Sequence, residues 1–139
     1  MTGHSAVRGD QRGQSVSVLV ILVMAAMIFT AGLVVDGGQK VAGTTRAEAA
    51  AAGAARAASN AAATEELAGD DAGGAAVTAA RRFLAGQPDV AGSVSIAAGV
   101  VRVETTTTSP TVFLSVIGID AVTSTGSAEA NIVPTGQTR

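Results

Sequence analysis

The sequence predicts an α+β fold. A long N-terminal helix, membrane-spanning at first and extracytoplasmic beyond, precedes a second, shorter helix and a small antiparallel sheet of about three strands. Three observations predict it. No charged residue interrupts GQSVSVLVILVMAAMIFTAGLVV, from Gly13 to Val35. The tract that follows is mostly alanine, the best helix former. After Pro88 the apolar spacing changes from the helical period to a period of two.

The first residues, 1–12, are polar and carry no core of their own, so they are expected to form a disordered cytoplasmic tail. Residues 13–35 would span about 35 Å as a helix, enough to cross a ~30 Å hydrocarbon core. Gly13, Val16, Leu19, Leu22, Met24, Phe29 and Val35 are the expected membrane-anchor residues of this transmembrane helix. A chain of 139 residues has no core able to surround so long an apolar helix. A cleaved signal peptide normally has an apolar region of about 7–15 residues. This run is longer, and Phe29 occupies the position that should be small before a cut after Ala31. An uncleaved anchor is expected. Arg8 and Arg12 precede the run and Lys40 and Arg46 follow it, so charge alone gives little orientation. The short head and the foldable remainder place the N-terminus in the cytoplasm and the domain, residues 36–133, outside.

Asp36, Gly37 and Gly38 close the apolar run as a post-membrane motif. Residues 39–66 are helical by propensity. One helix is expected from about Ser15 to Leu67, continuous or kinked at the two glycines. Gly43, Ala47, Ala51 and Ala55 stand four apart and form a candidate packing ridge. Small residues in that spacing let a neighbouring helix or sheet approach closely, so lateral helix packing is a possible use.

AGDDAGGA (68–75) interrupts the helix as a turn, and Asp71 can cap a second helix over 72–85. Val77, Ala80, Phe83 and Leu84 lie on one side of it, and Gly86-Gln-Pro88 ends it. Strands are expected at about 93–98, 100–107 and 121–133. Val94 and Ile96 alternate with serine in the first. Val101 and Val103 face one way and Arg102 and Glu104 the other in the second. Val122, Ala128, Ala130 and Ile132 share a face in the third. Ala98-Gly99 is a tight hairpin turn. Between the last two strands, SPTVFLSVIGI (109–119) places Pro110 at the start of a short apolar helix with Gly118 after it. Residues 134–139 should fray.

Composition excludes several function classes. The net charge is -2 and only 14% of residues are charged, against roughly a quarter in soluble domains. No basic patch is available to hold phosphates, which argues against nucleic acid. Aromatic residues make up 2%, with no Trp or Tyr, so the 47% hydrophobic content is mainly Ala and Val and the core will be thin. Zero Cys removes disulfides, thiolate zinc sites and a cysteine nucleophile. His4 is the only histidine and sits in the tail, away from any partner for a catalytic pair or a metal site. The neighbouring carboxylates Glu65-Glu66 and Asp70-Asp71 lie in polar, loop-like sequence without calcium-loop spacing. No enzyme activity, cofactor, metal or small-molecule substrate is expected.

The order of parts resembles a known family. Arg12-Gly13 introduces the apolar run, Leu33-Val-Val-Asp36-Gly37-Gly38 closes it, and an Ala-rich helix follows. VFLSVIGIDAVTSTGSAEA (112–130) then leads from an apolar turn into a Ser/Ala-alternating strand. These features resemble the TadE/TadG-like proteins of tight-adherence (Flp) pilus systems, particularly the short versions of high-GC Gram-positive bacteria. The resemblance implies a domain pilin-like in outline and a non-catalytic pilus-assembly accessory or minor pilin-like subunit. Its partners would be the membrane and other pilus or secretion-apparatus proteins. Pilin-like members processed by prepilin peptidase tend to carry a Glu five residues after the cleaved Gly. Counted from Gly13, that position is Val18. A carboxylate inside the membrane is costly and normally partnered, so its replacement by valine favours the TadG-like, anchored accessory. Two readings of other classes compete. One is a secreted or surface-exposed binding module with a cleaved signal peptide, and the other is a small regulatory membrane protein that senses a ligand outside. Both call for exposed aromatics or an aromatic-lined pocket, and only Phe83 and Phe113 lie beyond the apolar run.

Overall fold

A computed structural model describes residues 11–132, with side chains from residue 15 onward. His4, most of the N-terminal tail and the segment expected to fray lie outside the described residues. Helix α1 runs without interruption over Gln11–Ala68, 58 residues. It begins two residues before the expected membrane segment, and Gly37 and Gly38 remain helical. Neither glycine meets anything within 4 Å of where a Cβ would stand, so no packing pressure opens the helix there.

Helix α2 covers Ala72–Ala85, and the Asp71 side chain accepts from the Gly74 N–H at 3.1 Å. Its buried residues are Ala76, Ala80 and Leu84, with Phe83 partly buried beside them. The face is thus centred on Ala76 rather than on Val77. Strands β1 (Val90–Ala97), β2 (Val100–Pro110) and β3 (Ala121–Asn131) form an antiparallel sheet in that order. Ala98 and Gly99 join β1 to β2 with φ of 49° and 74°, the doubly left-handed turn that matches the twist of a hairpin. β2 extends to Pro110, beyond the expected end near 107. Proline therefore closes a strand instead of opening a helix. The helix expected after it is a single 3-10 turn, Leu114–Ile117, closed by Gly118 at φ 86°.

Both helices pack on one face of the sheet. The core is alanine from α1 and α2 (Ala51, Ala54, Ala58, Ala76, Ala80) against Val101, Val103 and Ala130. The opposite sheet face carries a cross-strand ion pair, Arg102 to Glu129 at 2.6 Å, both side chains more than half exposed.

Candidate functional site at the junction of anchor and domain

The ridge and the sheet fit because their repeats match. Four residues along a helix advance about 6 Å, and two along a strand advance about 6.6 Å. A row of helix positions four apart therefore stays in step with alternate strand positions. Gly43, Ala47, Ala51 and Ala55 are all buried. Moving down the helix toward the apolar run, the contacts change character. Ala51 and Ala55 belong to the apolar core with Val101 and Val103. Thr105 Oγ1 donates to the Ala47 carbonyl at 2.7 Å, and Thr107 Oγ1 to the Gly43 carbonyl at 3.1 Å. Ser124 Oγ donates to the Lys40 carbonyl at 3.2 Å, while the Lys40 ammonium donates to the Thr123 carbonyl. A Cβ on Gly126 would stand 2.4 Å from the backbone of Ala47 and Glu48. Only glycine permits β3 to lie this close to α1.

Below this polar row sits Asp36, 2% exposed. Its carboxylate accepts from the N–H groups of Val112 (2.8 Å), Phe113 (3.0 Å) and Leu114 (2.7 Å). The acid thereby caps the start of the 3-10 turn from another element. The Val112 N–H does most to hold the carboxyl below its ordinary value of 3.8. Burial opposes the shift, and the Leu114 and Phe113 N–H groups reinforce it. One helical turn lower, the Phe113 ring covers Gly32, where a Cβ would be 2.1 Å from the ring. Asp36 and Gly32 together fasten the loop 111–120 to the end of the apolar run.

The residues expected to anchor the chain behave differently. Val16, Leu19, Leu22, Met24 and Phe29 are each about 60% exposed, and Val35 is 49% exposed. Gly13 lies within α1, in the part described by backbone alone. Among the described residues one helix is long and apolar enough to cross a membrane, and its apolar stretch is almost wholly uncovered by the rest of the protein. Of the post-membrane motif, Asp36 is engaged with the loop while Gly37 and Gly38 are exposed. Among the described residues no group of three His, Cys, Asp or Glu could hold a metal ion.

Sequence reading placed Asp36 at the junction but missed its partners, which lie 76 to 78 residues away. It also missed Ser124 and Gly126, although they share the parity of Val122, Ala128 and Ala130. Small side chains on the inner face of a strand, opposite a small-residue ridge, were the available signal.

No curated protein and no solved structure matches the chain. Residues 13–65 match the Tad family, Flp pilus-assembly TadE/G-like. That match spans the apolar run, Asp36 and the whole ridge. This chain therefore carries a TadE/G-like segment, the family its motifs resemble, over the helix that joins the apolar run to the domain.

Proposed function

We propose that the protein is a non-catalytic, membrane-anchored component of a tight-adherence (Flp-type) pilus or a related secretion apparatus. In this reading it is a TadG-like assembly accessory, held in the cell membrane by one pass, with the N-terminus in the cytoplasm and the domain outside. Its partners are other proteins of that machine. The observation that carries the reading is the coincidence of the family segment with a single helix that does two jobs. The first part of that helix is bare and apolar, and the second part is the centre of the domain's core. Val18 in place of a membrane carboxylate supports an anchored accessory over a filament subunit.

The helix also argues for retention of the anchor. A mature chain beginning near Gly43 would lose Asp36 and Lys40, and with them the loop cap and the bonds to β3. Purification of the tagged full-length protein from its native membrane, with intact mass and identification of co-purifying proteins, tests the proposal. The expected result is a chain that retains Asp36 and brings down a secretion ATPase and polytopic platform proteins. A protein found in the medium, starting beyond Asp36, would overturn it in favour of a secreted binding module.

A further inference from the structure

The loop after β2 is apolar and uncovered. From Thr111 to Ile119 it has no charged residue (TVFLSVIGI). Val112 is 55% exposed, Val116 77%, Ile117 70% and Ile119 45%. A group of large apolar side chains this exposed on a small domain marks an interaction surface. Its position says with what. Phe113 rests on Gly32, which is inside the uncharged run, and Asp36 holds the next backbone groups one turn above. The loop is thus fixed beside the last turn of the anchor and on the level of its apolar residues, not at the far end of the domain.

Much of the loop backbone is also paired within the protein, which lowers the cost of placing it where water is scarce. Three N–H groups are taken by the Asp36 carboxylate. Those of Thr111, Val116, Gly118 and Ile119 donate to the carbonyls of Asp120, Phe113, Ser115 and Leu114. The Ser115 and Thr111 hydroxyls donate to the Val112 and Ile119 carbonyls. A polar backbone group left unsatisfied in lipid is costly, and non-helical chain is tolerated at that depth only when its groups are paired within the protein.

We infer that the 112–119 loop is a second membrane contact, a short apolar wedge seated in the interfacial region of the lipid bilayer beside the anchor helix. This rests on the anchor reading of residues 13–35. With the helix crossing the membrane, the wedge would fix the domain's rotation and tilt on the membrane surface. Apolar side chains at that level gain by leaving water for the acyl boundary.

The native chain has no Cys, so single cysteines report unambiguously. Ile117→Cys and Val116→Cys sample the wedge, Leu22→Cys samples the anchor, and Ser127→Cys samples the exposed outer strand face. Each full-length variant is labelled with an environment-sensitive fluorophore and reconstituted in phosphatidylcholine vesicles. Nitroxide lipids carry the spin label either near the headgroups or near the bilayer centre. The expected result is blue-shifted emission and loss of fluorescence at positions 116 and 117 with the shallow nitroxide. Position 22 should be quenched by the deep nitroxide, and position 127 by neither. Water-like emission at 116 and 117 with position 22 quenched would overturn the wedge and leave the anchor standing. Position 22 unquenched would overturn the anchor reading and the wedge with it. Blue-shifted but unquenched emission at 116 and 117 would mean that protein covers the loop, and would also overturn the lipid contact.

Discussion

At the scale of single residues, glycine carries two opposite meanings along this chain. Gly126 touches helix backbone, which cannot yield as a flexible side chain would. Gly126→Ala should force β3 from α1 and cost about 1–3 kcal/mol by overpacking, read as a lower melting temperature of the detergent-solubilised protein. Gly37 and Gly38 are helical with open space around them, so Gly37→Ala or Gly38→Ala should stabilise the helix by roughly 0.5–1 kcal/mol. A destabilised Gly38→Ala would mean that the glycine serves a bend. Asp36 adds a pH dependence. Its carboxyl is held below its ordinary value of 3.8 by N–H groups of the loop, so the folded state prefers the ionised form. The resulting stabilisation is fully present above the unfolded value and is lost as pH falls through the lower folded value. The melting-temperature difference between the native protein and Asp36→Asn should therefore be constant near neutrality and shrink below about pH 4. A difference that stayed constant into strong acid would show that the Asp36 charge does not hold the loop.

At the scale of elements, the ridge on α1 acts through what it lacks. Alanine contributes little contact area itself and lets the sheet reach the helix backbone, where Thr105, Thr107 and Ser124 find carbonyl acceptors. Ala51 is fully buried at the start of the apolar part of that contact. Ala51→Leu should cost about 1–3 kcal/mol by overpacking. Leucine is nearly as good a helix former as alanine, so the loss would report packing rather than helicity. Ala49→Leu, on the exposed side of the same helix, is the control and should melt like the native protein. Equal melting of all three proteins would show that the ridge is solvated in solution. The two helices and three strands were legible in the sequence because each writes its own period locally: Val101 and Val103 against Arg102 and Glu104, Ala80 and Leu84 after the Asp71 cap. The junction was not legible. Asp36 meets Val112, and Gly126 meets Ala47, across separations that no local period records. The loop itself was read as a helix because Pro110 also starts helices. Here the β2 ladder, pairing Pro110 with Ala121, carries the strand one residue past Ser109.

At the scale of the whole molecule, anchor and domain are not two parts joined by a stalk. The same helix leaves the apolar run, receives the loop at Gly32 and Asp36, and becomes the core of the domain within three turns. The domain is therefore seated directly against the end of the apolar run, and in the proposed anchored form its side of the membrane would be decided when the helix inserts. The cations at the two ends of the apolar run are equal in number. Arg8 and Arg12 lie just ahead of the run. On the other side stand Lys40, whose ammonium donates to the Thr123 carbonyl, and Arg46, which is exposed. Two cations on each side leave the charge bias weak, so the expectation that the arginine end stays in and the domain crosses rests on the short head and the foldable remainder. A reporter active only outside the cytoplasm, fused after Arg139, should be active, and a cytoplasm-only reporter at that position should be silent. Replacing Arg8 and Arg12 with glutamate while adding lysines at exposed Gly37 and Gly38 should lower the outside signal. A fusion active only in the cytoplasm would reverse the topology. The loop at Val112–Ile119 would then meet the inner leaflet, and a pilus machine assembled outside could no longer be what the domain contacts.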